Sequence, residues 1–167
     1  MVRSLFKKLN NYILIILSIF ILDRISKYYV IALNNQMLEN DTLYSTNFLN
    51  IHLIWNSGVA FGLFSFKEDF YYNFITMIIV VVIILIGNLI RKSKKLDGYF
   101  YSMIVGGAIG NLFDRIVYNA VPDFIDLHYN SFHWFIFNVA DIFITIGLLC
   151  LIYNEIIMEK YKNEKNN

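Results

Sequence analysis

The sequence predicts an all-α membrane protein: four transmembrane helices with a small extracytoplasmic β-rich segment. Three observations carry this. Hydrophobic residues make up 57% of the 167-residue chain and charged residues only 16%, where a soluble domain would carry about a quarter charged. Four stretches approach the roughly 20 apolar residues that a helix rising 1.5 Å per residue needs to cross about 30 Å of hydrocarbon. Lysine and arginine, finally, are segregated into the tails and one connection. The chain is short enough to form one integral membrane domain over 1–167.

The first helix, about 12–32, begins with YILIILSIFIL (12–22) and continues through DRISK into YYVIAL, so its charges sit in its far half. The preceding MVRSLFKKLNN has the form of a signal-peptide n-region, but no small-x-small cleavage site follows the apolar run, so an uncleaved helix is expected. TLYSTNFLNIHLIWNSGVAFGLFSF (42–66) has no helical period. Its β-branched and aromatic content, punctuated by Asn and Gly, predicts two or three short strands within an extracytoplasmic β-rich segment of about 40–66. Apolar residues on both faces from Ile51 to Trp55 suit a small sheet resting on the membrane surface, with Trp55, Phe61 and Phe64 as an anchoring belt. YYNFITMIIVVVIILIGNLI predicts a second helix at about 70–90 and YFYSMIVGGAIGNLFDRIVY a third at about 98–118. NVADIFITIGLLCLIYNEII predicts a fourth at about 138–158.

Basic residues orient these spans. Arg3, Lys7 and Lys8 precede the first, Arg91, Lys92, Lys94 and Lys95 join the second to the third, and Lys160, Lys162 and Lys165 end the chain. Segment 33–69 has only Lys67, and 119–137 has no Lys or Arg. The positive-inside rule places both termini in the cytoplasm and both long connections outside.

In that orientation Asp23 and Lys27 lie in the outer half of the first helix, and Asn111, Asp114 and Arg115 near the outer end of the third. Asp141 sits about one turn, roughly 5 Å, into the fourth, while Asn56 and Asp123 lie in the outer segments. Each motif alone has a structural reading. Asp23 and Lys27, spaced i,i+4 with the acid first, make a favourable helix pair. Asn111, Asp114 and Arg115 share one helix face and could join helices or hold an outer loop. Gly106-x-x-x-Gly110 permits close helix contact. Asn138-x-x-Asp141 is an N-cap followed by an acid in the first turn. Asp126 reads as a solvated loop acid. Yet the polar groups gather in one leaflet, with Glu155 apart, and acids near hydrocarbon are costly. A site at the outer membrane boundary accounts for that convergence.

Other chemistry finds less support. The single cysteine, Cys150, excludes an internal disulfide and a multi-cysteine metal site, and its apolar setting suits packing. His52, His128 and His133 have no recurrent metal-ligand spacing and read as surface or interfacial residues; neither metal nor cofactor is expected. The net charge of +1 says nothing by itself about partners, and no nucleic-acid partner is expected. Two rival readings are a small membrane transport or ion-pathway protein, which would spread its acids through the bilayer depth, and a scaffold, which would not need two acids to meet.

DRISK (23–27), NSGVAFG (56–62), GGAIGNLFDR (106–115), VPDF (121–124) and FNVAD (137–141) occur in the order and spacing of lipoprotein signal peptidases, the bacterial type II signal peptidases, which the chain resembles over nearly its whole length. The resemblance implies an intramembrane aspartic endopeptidase of the bacterial cytoplasmic (inner) membrane with Asp123 and Asp141 catalytic. The other matching positions, substrate-binding or site-supporting, are Asp23, Lys27, Asn56, Gly58, Asn111, Asp114, Arg115, Asn138 and Ala140. It implies lipid-modified prolipoprotein substrates, reached from within the membrane lipids and cut just before the diacylglyceryl-modified cysteine; oligomeric state is left open. Gly106, Gly107 and Gly110 would leave room for the signal helix. The chain departs from the family at Arg24, usually Gln, at Val59, often Ala, and at Pro122, usually Val. Pro122 removes a backbone N–H and stiffens the approach to Asp123. If the two aspartates meet, they share one proton and titrate as a pair.

Overall fold

A computed structural model describes residues 2–37, 42–58 and 69–166. The elements are α1 (Val2–Asn34), β1 (Tyr44–Ser45), β2 (Leu49–Asn56), α2 (Asp69–Lys92), α3 (Lys95–Tyr118), β3 (Val121–Tyr129), β4 (Phe132–Phe137) and α4 (Val139–Asn166). The helix α1 starts earlier than the expected 12, because nothing in MVRSLFKKLNN breaks a helix. The helix α4 runs past 158 through a tail rich in Lys and Glu, both good helix formers. Phe61 and Phe64, proposed as membrane anchors, lie outside the described residues, as does the end of the β-rich segment.

The helix α3 is central, with α1, α2 and α4 packed around it. Its glycines make this possible. A Cβ on Gly106 would stand 3.0 Å from Ile19 Cβ, one on Gly110 would stand 2.6 Å from Asp23 Oδ2, and one on Gly107 would stand 2.5 Å from the carbonyl oxygen of Ala140. The space expected for a substrate helix at these glycines is therefore filled by α1 and α4. The reason is geometric: three small residues on α3 let two backbones approach closely.

The distribution of polarity is inverted relative to a water-soluble protein. Leu14, Ile25, Tyr28, Ile84, Leu85 and Leu149 are all more than half exposed, while Asp23, Lys27, Asp114 and Asn138 are buried; in water the reverse is the rule. Tyr72–Lys92 and Val139–Met158 are each long and apolar enough to cross a membrane. At one end of the helices, Lys8 Nζ donates to the carbonyl oxygen of Ser93 (2.7 Å), Tyr12 Oη to that of Lys95 (3.1 Å) and Asn154 Nδ2 to Asp97 Oδ1 (2.6 Å). The basic α2–α3 connection thus lies beside the start of α1.

The sheet occupies the other end. It is antiparallel throughout, in the order β1-β2-β3-β4. Half of it comes from 121–137, a segment read from sequence only as an outer connection. Asp123, Asp126, His128 and His133 interrupt the apolar alternation there, so the strand period is obscured. Two left-handed asparagines shape the segment. Asn119 (φ 54°) ends α3 and turns the chain into β3, and Asn130 (φ 53°) opens the two-residue turn to β4; asparagine tolerates this conformation better than other side chains. Pro122 pairs in register with Trp55 of β2, while β4 joins β3 only from Ile125 onward. Proline is tolerated because one flank of the strand is unpaired there.

Candidate active site

Four charged side chains from α1 and α3 form one cluster. Lys27 Nζ lies 3.0 Å from Asp23 Oδ1 and 2.6 Å from Asp114 Oδ2. Arg24 donates to both acids as well: Nη2 to Asp23 Oδ2 (2.5 Å), and Nη1 and Nη2 to the two oxygens of Asp114 (2.5 and 2.8 Å). Two cations thus balance two fully buried acids. Sequence reasoning gave the i,i+4 pair but treated Arg24 only as a departure from a pattern. Two buried acids and a single lysine would leave an unmatched negative charge, and that imbalance was the available signal for Arg24.

From this cluster an amide leads towards Asp141. Lys27 Nζ donates to Asn111 Oδ1 (2.9 Å), and Asn111 Nδ2 donates to Asp141 Oδ1 (2.8 Å). An ammonium can only donate, so the Asn111 oxygen must face Lys27 and its NH₂ must face the acid. Asp23 reaches the same region by accepting from the backbone N–H of Ala140 (3.1 Å). Asp141 itself closes a capping box at the start of α4. The Asn138 N–H donates to Asp141 Oδ2 (3.1 Å) and the Asp141 N–H to Asn138 Oδ1 (3.2 Å), satisfying donors that a helix start leaves free.

Asp123 is fixed by the same logic. Asn138 Nδ2 donates to its Oδ1 (2.6 Å) and Asn56 Nδ2 to its Oδ2 (2.8 Å). The oxygen of Asn138 is taken by the Asp141 N–H and that of Asn56 by the Gly58 N–H (2.9 Å), so both amides must present NH₂ to Asp123. Arg115 supports this from behind. It is buried, donates to the carbonyl oxygen of Gly58, and lies over the Tyr72 ring (5.1 Å to the centroid), whose hydroxyl donates to the Arg115 carbonyl (3.1 Å). All eleven residues singled out from the sequence thus belong to one continuous hydrogen-bonded or packed assembly. Ala140 enters through its backbone N–H; Tyr72 and Arg24 were not anticipated.

Asp123 and Asp141 line one cavity of about 520 Å³, whose other polar walls are Asn56, Asn111, Arg115 and Thr145. A second, about 420 Å³, lies between β4 and α4, lined by Trp134, Phe135, Phe137, Ile142 and Ile146 among others, and again reaches Asp141. Burial pushes Asp123 up to about 6, and the neighbouring Asp141 charge adds to this. The hydrogen bonds from Asn56 and Asn138 oppose it, as does the Lys27 charge.

Asp126 differs from expectation. It is not a solvated loop acid but only 1% exposed, because β3 carries it into the sheet. There it faces His133 Nδ1 at 2.9 Å and accepts from Asn50 Nδ2 at 3.2 Å. His133 stacks on its cross-strand partner His128 with ring centroids 5.1 Å apart. No grouping of histidine, cysteine or acidic residues suited to a metal ion occurs among the described residues.

Residues 15–157 match the family model described as "Signal peptidase (SPase) II". The chain is 53% identical over 155 residues to the lipoprotein signal peptidase of Pelagibacter ubique, covering 92% of this chain and 93% of that one. It is 36% identical over 161 residues to that of Rickettsia africae, covering 92% and 79%. A solved structure titled as a bacterial membrane enzyme, determined at 2.3 Å by the in meso method, superposes with a TM-score of 0.75 at 28% identity, covering 92% of this chain and 91% of that one.

Proposed function

The chain belongs to the signal peptidase II family, an integral membrane protease of lipoprotein processing, and from that premise we propose that it is an aspartic endopeptidase cutting prolipoproteins just before a diacylglyceryl-modified cysteine. The observation that carries this is the shared cavity of Asp123 and Asp141. Each carboxyl oxygen there receives one N–H donor, and Asn138 touches both acids. One lone pair on each oxygen stays available to accept from a water or to hold the proton that is donated to a substrate carbonyl.

In this reading the two carboxyls hold one proton between them. Asp123 carries it, and Asp141, in the first turn of α4 where the helix dipole favours an anion, takes a proton from the attacking water. Water oxygen bonds to the scissile carbonyl carbon while Asp123 protonates the carbonyl oxygen, giving a gem-diol. Its collapse breaks the C–N bond: Asp123 takes back a hydroxyl proton as the carbonyl re-forms, and the departing amine takes the proton held by Asp141. The supporting assembly holds both acids still, so little geometry must be organised at the moment of reaction. The apolar walls of the two cavities suit a signal helix and acyl chains arriving from lipid.

All four helices span the bacterial inner membrane in this proposal. Both termini and the basic α2–α3 connection are cytoplasmic, and the sheet and the acids face outward. Purified enzyme in proteoliposomes should convert a diacylglyceryl-modified prolipoprotein into a product whose mass fits cleavage immediately before the lipidated cysteine. Cleavage should persist in excess chelator, and the unlipidated precursor should stay intact. Loss of turnover on chelation, restored by zinc, would defeat the carboxylate mechanism.

A further inference from the structure

We propose that Arg24 is a positioning residue for the Asp123–Asp141 pair: it completes a charge-neutral cluster with Asp23, Lys27 and Asp114, and so leaves Lys27 free to hold Asn111 against Asp141. The inference rests on the dyad reading above. Arg24 touches neither acid of the pair. It acts through two short connections, Lys27–Asn111–Asp141 and Asp23–Ala140 N–H.

Asp23 and Asp114 are fully buried, and Lys27 has three donors. In the structure those donors go to Asp23, Asp114 and Asn111. Arg24 supplies three further N–H contacts to the same two acids and a fourth to the carbonyl oxygen of Gly110 (3.2 Å). Its guanidinium is held over the Phe113 ring at 4.8 Å from the centroid and over Phe20 at 5.7 Å, a geometry suited to a planar cation rather than an ammonium. Without the Arg24 charge, one lysine would serve two carboxylates. The ammonium would be drawn to the acids and away from Asn111, and one uncompensated negative charge would remain beside the site.

That charge has a defined consequence. Among the described residues, the charged and titratable groups packed around the pair are Asp23, Arg24 and Lys27 of α1, Asp114 and Arg115 of α3, and Tyr72 of α2 against Arg115; β2 contributes the neutral Asn56. A net negative charge added there disfavours the ionised member of the pair. The acid limb of the kcat/KM profile should therefore move to higher pH, by roughly half a unit or more.

Three variants separate charge from hydrogen bonding. Arg24→Gln removes the charge, Arg24→Lys keeps it, and Arg24→Gln with Asp114→Asn restores neutrality without the guanidinium. With a lipidated prolipoprotein in proteoliposomes, Arg24→Gln should shift the acid limb upward and lower kcat with little change in KM. Arg24→Lys and the double variant should keep the wild-type limb. An unshifted limb in Arg24→Gln overturns the proposal, as does a shifted limb in either neutral variant, and the latter comparison stands even where Arg24→Gln does not fold. Failure of the dyad reading looks different: cleavage then survives Asp123→Asn. A limb indifferent to Arg24→Gln, in an enzyme that Asp123→Asn silences, rejects only the role of Arg24.

Discussion

Two pairs of acids lie at the same end of the helices, and they are treated differently. Asp23 and Asp114 are met by the cations Arg24 and Lys27. Asp123 and Asp141 are met by the amides of Asn56, Asn111 and Asn138 and by a backbone N–H. A cation cancels an acid's charge, whereas an amide orients the acid and leaves its charge to be dealt with by a proton. The first pair can therefore hold three-dimensional structure, and the second can exchange protons. The densest charge in the molecule is scaffolding, and the chemistry is assigned to the pair that no cation fully matches.

The largest expected effect breaks the second pair. Asp123→Asn and Asp141→Asn should each lower turnover by roughly 10³-fold or more, in line with loss of general acid–base catalysis. The double variant should be little worse, because groups acting as a unit are not additive. Binding of the lipidated precursor should survive in all three, measurable by co-purification. A single variant retaining a tenth of wild-type turnover would place the chemistry elsewhere.

Breaking the first pair should register as stability. Lys27→Met or Asp114→Asn leaves a buried partner charge unmatched, a loss of about 3–5 kcal/mol, seen as a lower unfolding temperature in detergent. Turnover should fall with it. An Asp114→Asn enzyme of native stability and no activity would move Asp114 into the reacting group and erase the distinction between the two pairs.

The pH dependence of stability sharpens the comparison further. Asp123 is raised from an ordinary 3.8 to about 6, so the folded state resists its ionisation. The sign follows: this cost is absent below pH 3.8, grows through the interval and is complete above 6. Relative to Asp123→Asn, the wild type should lose about 2 kcal/mol between pH 4.5 and 7.5, at about 1.4 kcal/mol per unit. Thermal unfolding of both proteins at the two pH values checks this. A constant difference would mean that the protein does not oppose ionisation of Asp123.

Much of this was legible beforehand because its signals are local. Apolar length gave the helices, and Asn138-x-x-Asp141 gave the N-cap that the structure contains; the reciprocal bond from the Asn138 N–H to Asp141 was not foreseen. The expectation that the polar residues gather at one end of the helices came from charge placement, whereas Gly58 and Ala140 came only from the family motifs. What was not legible depends on partners distant in sequence. Arg24 gains its meaning from Asp114, 90 residues away. The strand β3 carries Asp123 and Asp126 on positions that face other protein, so its alternation does not look like a strand. Nothing local to Asp126 revealed that β3 would bury it against β2 and β4.

Asp126 therefore supplies the smallest expected effect and the strictest control. It lies three residues from Asp123 and is just as buried, yet its partners are His133 and Asn50 rather than the amides of the site. It lines neither cavity that reaches Asp141. Asp126→Asn keeps the shape and one acceptor oxygen, which either Asn50 or His133 can still use. The cost should be a weakened contact to a half-exposed histidine, about 1 kcal/mol or less, read as a small drop in unfolding temperature. Turnover should stay within roughly threefold of wild type, a barrier change of about 0.7 kcal/mol. If burial alone made an acid in this sheet essential, Asp126→Asn and Asp123→Asn would fail alike. Loss of turnover in Asp126→Asn at unchanged stability would thus show that amide pairing and a place on the cavity wall do not distinguish the reacting acid from its neighbour.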